Sequence, residues 1–261
     1  NFVSIQSALI AIRRMGEYYL SLLMHPTHAR YVDMGLGIEA RAARCGVAWE
    51  PHLCASKRFL LNAITQNAAP ASSAVVLGAG RLYDVPLSAM LESVGTVRLI
   101  DADPTARAAV ARSLRHLPVR YEIAEVTGQM SPQVRALQRC RSLDAVAELL
   151  RTFCLLPASH LALSEEVVCS MNLLSQIPLY WRDEVHRVLA RFGVHADDRE
   201  CLPEPWEAMV MRTRSAFQQH HLTAIAQSNA RLVVIITDSA FEYYTQEGTF
   251  YREEALGVPL V

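Results

Sequence analysis

An apolar run, Ala74-Val75-Val76-Leu77, leads straight into Gly78-Ala79-Gly80. A run of this kind reads as a short strand buried on both faces, and the glycines after it as a sharp turn that lets the backbone come close to a ligand. A second run, Val97-Arg98-Leu99-Ile100, ends at Asp101, 23 residues beyond Gly78. Between the two, Pro86 to Ser93 carries helical spacing. After Asp101, the pair Asp103-Pro104 supplies an acidic cap and a first-turn proline for a helix over Thr105 to Leu114. Strand, turn, helix, strand, helix in so short a span requires crossover connections and hence a parallel sheet.

The rest of the chain continues the alternation. Val119 to Ile123 reads as a third strand, residues 131 to 156 as mostly helical, and Leu163 to Cys169 as a fourth strand. Pro178 to Phe192 and Glu207 to Gln227 read as helices. Leu232 to Ile236 is the strongest strand of all, and Thr237-Asp238 follows it. The expected fold class is therefore α/β, a Rossmann-like parallel sheet with helices on both faces. Phe241 to Tyr251 and Gly257 to Val261 read as part of a further strand pair, with a trimmed chain end as the alternative.

A helical N-terminal segment precedes this sheet. Ile5, Ala8, Leu9, Ile12, Met15 and Tyr19 have helical period, and His25-Pro26-Thr27 breaks it. A second helix is expected from Met34 to Cys45 with Gly46 as its stop, and a third from Pro51 to Ile64. Residues 67 to 73, NAAPASS, read as a turn-rich linker. The expected division is a lid or interaction segment over 1–70 and the Rossmann-like domain over 71–261.

Charge and composition narrow the partners. The net charge is -1 and aromatic residues are 7%. Neither suits a polyanion or a base-stacking surface, so no nucleic-acid partner is expected. No apolar run of 18 residues occurs, so no membrane span is expected either. Arg13, Arg14 and Glu17 interrupt the leading apolar stretch, unlike a secretory signal. The chain starts at Asn1 and not at Met, which leaves any removed leading segment unreadable. The six cysteines are scattered without a close pair, as in a reduced, cytoplasmic protein. The His and Cys spacings match no four-ligand metal pattern, so no metal is expected.

The glycine turn and Asp101 point to a nucleoside. A carboxylate at the end of the second strand can accept both hydroxyl protons of a ribose. A dinucleotide fingerprint would place a third glycine at residue 83, where this chain has Tyr83, and Asp84 would repel a pyrophosphate. A cationic, phosphate-free nucleoside suits this turn better, and S-adenosylmethionine is one.

VVLGAGRLYDVPL over residues 75 to 87, taken with RLIDADP over 98 to 104, resembles motifs I and II of the class I S-adenosylmethionine-dependent methyltransferases, in a divergent branch. The resemblance covers about residues 74 to 128 and 163 to 180. It departs from the common pattern at Val76, where an acidic residue is usual, and at Leu82, where a third glycine is usual. The resemblance implies that Gly78 and Gly80 pass under the methionine part of the cofactor; by residue type, Tyr83 beside them is the candidate to close over the cofactor and Asp84 to favour its positive charge. It implies that Asp101, with Ala102, holds the ribose and that Glu125 approaches the adenine amino group. It also implies that Ser170, Met171 and Asn172, following the fourth strand, and Gln176 line the cofactor and acceptor site. Asn172 stands where an Asp is frequent, and an amide orients an acceptor without acting as a base.

Methyl transfer to a small-molecule acceptor is the activity this implies. Alignment and desolvation supply much of its acceleration, and a base is needed only when the nucleophile must lose a proton. His52 and His221 are the candidate bases by residue type, each with a plain capping or surface role as the alternative. Trp49 covers a ligand or packs in the core, and Asp238 reaches the site or caps a turn. The helical N-terminus selects the acceptor or forms a homodimer surface. Two other functions stay open: aminopropyl or aminocarboxypropyl transfer from the same cofactor, and a methyltransferase-like protein that binds without catalysis.

Overall fold

The computed structural model describes residues 15–16, 18–20, 23–25, 28–155, 161–194, 205–244 and 250–256. Among the described residues, seven strands fall in two sheets. Five form one sheet in the order β3-β2-β1-β4-β5: β1 (Ala71–Leu77), β2 (Val94–Asp101), β3 (Val119–Ile123), β4 (Val167–Met171) and β5 (Leu232–Ile236). β1 pairs β2 in parallel, and β2 pairs β3 in parallel, with Val76 opposite Leu99 and Leu99 opposite Tyr121. β6 (Ala240–Tyr244) and β7 (Phe250–Glu254) form a separate antiparallel pair. This pair covers the ends of the expected stretch 241–251; residues 257–261, the other expected part, lie outside the described residues.

The chain divides into two compact units, one of residues 1–125 with 165–167 and one of 126–164 with 168–261. The described residues of the first include α1 (Ala29–Asn67), followed by β1, the short α2 (Leu87–Met90), β2, α3 (Pro104–Leu114) and β3; most of the expected helix before His25 lies outside the described residues. Ala74 to Leu77 are buried, as are Val97, Leu99 and Ile100 on β2. That burial on both faces is why the two runs lack polar alternation. Arg98 is the exception, and it is satisfied: Nε donates to Glu165 Oε1 at 2.6 Å and Nη2 to Glu165 Oε2 at 3.0 Å. Ser72 Oγ donates to Glu166 Oε1 at 2.6 Å. These two acids sit ahead of β4, which starts at Val167 and not at Leu163 as expected.

α1 corrects two further expectations. It is one helix that passes through both Gly46 and Pro51. A proline inside a helix removes one hydrogen bond, leaving the carbonyl four residues back, here on Val47, without its donor. Val47 is 89% exposed, so water can take that donor's place. α1 also absorbs Asn67, and β1 absorbs Ala71-Ser72-Ser73, so the expected seven-residue linker shrinks to Ala68-Ala69-Pro70.

The second unit contains α4 (Met130–Gln138), α5 (Leu143–Arg151), β4, α6 (Leu173–Ala190), α7 (Trp206–Ala226) and β5. The stretch 131–156 is thus two helices, and Ser142 starts the second by accepting from the Ala145 amide. The core lies where α6 meets α7. Phe153, Trp181 and Phe217 form a triangle of rings with centroids 5.2 to 5.5 Å apart. Trp181 Nε1 donates to Thr213 Oγ1 at 2.6 Å, so its buried polar atom is satisfied. Gln218 Nε2 donates to the carbonyls of Leu174 and Ala255, which ties α7 to the start of α6 and to the end of β7.

Candidate functional site

In the first unit the turn after β1 runs through three left-handed residues: Gly78 at φ 74°, Gly80 at φ 48° and Leu82 at φ 62°. Leu82 occupies the third-glycine position with the backbone conformation that glycine would have had. The amides of this turn are used inside the protein. Gly78 N and Ala79 N both donate to Ile100 O, at 2.9 and 3.1 Å, and Leu82 N donates to Ala79 O at 3.0 Å. Gly80 N donates to Asp101 Oδ2 at 2.8 Å. A phosphate cradle needs such amides pointing outward. Here four of them point inward, and the helix that follows is a single turn.

Asp101 is therefore more than a ligand candidate. One oxygen holds Gly80 and the other, Oδ1, accepts from Asp103 N at 2.8 Å. Burial raises its carboxyl above the usual range; the amides of Asp103, Gly80 and Ala102 pull the other way, and the charge of Asp84 adds to the rise. A Cβ built on Gly80 would meet only Asp101 Oδ2, at 4.0 Å, so the space over the turn is open.

Four residues complete this cluster, three of them missed in the sequence. Asp103 caps α3: Oδ1 accepts from Thr105 N at 2.8 Å, and burial pushes its carboxyl up to about 6. Tyr121 donates its hydroxyl to Gly80 O at 2.9 Å. Arg81 pairs with Glu39 of α1 at 3.0 Å. The cap was legible at Asp103-Pro104. The others join positions 41 or more apart, and no local pattern signals them. Tyr83, Asp84, Ala102 and Glu125 are all half-buried in this unit. His52 lies exposed on α1, and Trp49, three residues earlier, is half-buried. Arg41 and Arg44 are exposed on the same helix.

In the second unit Ser170 and Met171 are the last residues of β4 and do not follow it. Ser170 Oγ lies 2.9 Å from His221 Nε2, and both side chains are buried. Burial, with the neighbouring His220, lowers His221 to about 4, so it is neutral at pH 7. A group that weakly basic is a poor proton acceptor at neutral pH, and the geometry gives it the role of Ser170's hydrogen-bond partner. Asn172 turns the chain from β4 into α6 at φ 56°, and its amide donates to Ile236 O at 2.7 Å. Gln176 sits half-buried in the first turn of α6. Asp238 accepts from Ser175 Oγ at 3.1 Å, which places it at the start of that helix.

Among the described residues no cluster of His, Cys, Asp and Glu is arranged to hold a metal ion, and no helix is long and apolar enough to cross a membrane.

Strand order and connections define a Rossmann-like α/β protein whose first glycine turn leans on the acid of the second strand. No protein-family model and no curated protein matches the chain. Among solved structures it is similar to a DhpI complex with SAH, at 12% identity over 82% of this chain and 73% of that one, TM-score 0.32. It is also similar to the plantazolicin methyltransferase BpumL in complex with a pentazolic desmethylPZN analog and SAH, at 11% identity, 82% and 76% coverage and TM-score 0.33. A third is the N-methyltransferase NodS from Bradyrhizobium japonicum WM9, at 10% identity, 72% and 82% coverage and TM-score 0.29. Superpositions this loose carry nothing about chemistry, which rests on the residues themselves.

Proposed function

We propose that this chain transfers a methyl group from S-adenosylmethionine to a small-molecule acceptor. The observation that carries the reading is the Gly80 amide held on Asp101 in a turn where the amides of Gly78, Ala79 and Leu82 are also bound internally. A pyrophosphate finds the amides of Gly78, Ala79, Gly80 and Leu82 already used and the Arg81 guanidinium already paired with Glu39. A sulfonium finds the carboxylates of Asp84 and Asp101 instead. The acceptor capacity left on Asp101 suits a ribose hydroxyl, and the open space over Gly80 suits the chain of an amino acid. The sequence resemblance over residues 75–87 and 98–104 supports the same ligand.

When bound, the cofactor supplies a methyl carbon already activated by the sulfonium. In this reading Gly78 and Gly80, with Tyr83 and Asp84, pass beside the methionine portion, Asp101 and Ala102 flank the ribose, and Glu125 takes the adenine amino group. In the second unit Ser170, Asn172 and Gln176 are assigned to ligand contacts. His221 fixes the Ser170 hydroxyl, and His52, exposed on α1, remains the candidate proton acceptor for nucleophiles that need one. Glu39 and Gly35 tie α1 to the turn cluster, which supports a lid role for the N-terminal segment. The free cysteines at 45, 54, 140, 154 and 169 suit a cytoplasmic protein.

Calorimetric titration of the full chain with S-adenosylmethionine tests the reading. Wild type should bind, and Asp101→Ala should bind at least about 10-fold more weakly, the loss expected of a charged hydrogen-bonding group. A wild type that shows no binding up to about 1 mM, where the binding energy is only about 4 kcal/mol, overturns it. Mass spectrometry of the spent cofactor then separates methyl transfer, which leaves S-adenosylhomocysteine, from aminopropyl transfer, which leaves 5'-methylthioadenosine.

A further inference from the structure

Gly80 has no side chain to restrict it, yet both of its flanking peptides are gripped. The peptide before it is held by its amide on Asp101 Oδ2 at 2.8 Å. The peptide after it is held by its carbonyl, which accepts from Tyr121 Oη at 2.9 Å. The two grips come from successive strands, β2 and β3, in register: Leu99 lies opposite Tyr121, and Asp101 opposite Ile123. Only the Asp101 grip is shared with the ribose reading. Tyr121 is half-buried, and its hydroxyl is spent on that carbonyl.

We propose that Tyr121 is a positioning residue, which presets the peptide following Gly80 for the amino-acid portion of the cofactor without contacting it. This rests on the reading of the turn as an S-adenosylmethionine site. A glycine at φ 48° with a leucine at φ 62° two residues on is a conformation that isolated chain seldom holds. With one grip removed, the peptide after Gly80 is free to rotate, and the ligand must then select the productive rotation at a loss in affinity. Tyr121 stays a donor throughout the working pH range, because burial and the charges of Asp101 and Asp103 push its hydroxyl's pKa up.

The test uses the full chain, with titrations of S-adenosylmethionine and of adenosine, which lacks the amino-acid portion. Tyr121→Phe should weaken S-adenosylmethionine binding about 3- to 10-fold, the size of one hydrogen bond's net contribution. It should leave adenosine affinity within about 2-fold. Asp101→Ala should weaken both ligands. Amide exchange at Gly80, followed without ligand, should be faster in Tyr121→Phe than in wild type even if the melting temperatures agree. Wild-type binding with an unchanged Tyr121→Phe overturns the positioning role alone, as does an equal loss for both ligands. Failure of wild type to bind S-adenosylmethionine overturns the cofactor reading and, with it, this inference.

Discussion

Gly35 of α1 lies directly against Asp103, the cap of α3: a Cβ built on residue 35 would sit 2.6 Å from Asp103 Cγ and overlap Oδ2. Gly35→Ala therefore sets two effects against each other. Alanine favours the helix by about 1 kcal/mol over glycine. The clash falls on a buried, doubly hydrogen-bonded carboxylate that cannot step aside, and overpacking of that kind costs about 1–3 kcal/mol. The clash should win. Gly35→Ala should lower the denaturation midpoint and expose α1 to protease before the strands, whereas Gly46→Ala, with open space around it, should raise stability. A Gly35→Ala protein as stable as Gly46→Ala would show that α1 does not rest on Asp103.

Asp103 and His221 should tilt stability in opposite directions over the same pH window. The folded Asp103, at about 6, holds a proton that the unfolded chain has released by about 4, so its contribution falls as pH rises through that range. The folded His221, at about 4, lacks a proton that the unfolded chain binds below about 6.5, so its contribution falls as pH drops. Each shift corresponds to about 3 kcal/mol and the two largely offset. Asp103→Asn should leave stability rising from pH 4.5 to 6, and His221→Gln should leave it falling. Urea denaturation at several pH values reads the slopes; two variants that keep the wild-type slope would contradict both assignments.

What the sequence made legible was local. β5 begins and ends with its apolar run and β3 with its alternation of apolar and charged residues, and Asp103-Pro104 announces the start of α3 because a cap and a first-turn proline act within four residues. α1 was misread at Gly46 and Pro51 because both are penalties that a solvated helix can absorb, and solvation is not visible in the residues. The strand-end acids were legible as ligand candidates, but not as structural parts of the turn. Tyr121 and Gly80 are 41 positions apart, and Ser170 and His221 are 51 apart. Contacts at that separation are fixed by strand register and helix packing, which one sequence does not reveal.

Leu82 offers the sharpest separation of backbone from side chain. It is half-buried, so burial alone ranks Leu82→Val above Leu82→Gly. Its φ of 62° ranks them the other way. For a non-glycine residue the left-handed region costs about 1–2 kcal/mol, and for a β-branched one it is a clear outlier. Leu82→Gly loses some apolar contact and pays the larger entropy of glycine, but sheds that strain, so its stability should fall within about 1 kcal/mol of wild type. Leu82→Val should lose about 2 kcal/mol or more, because its branched Cβ meets the carbonyl that leucine barely clears. Denaturation midpoints of the three proteins decide the order. Should valine prove the milder change, the turn would have to take a different path after Gly80, and the left-handed Leu82 would no longer explain how this chain does without a third glycine.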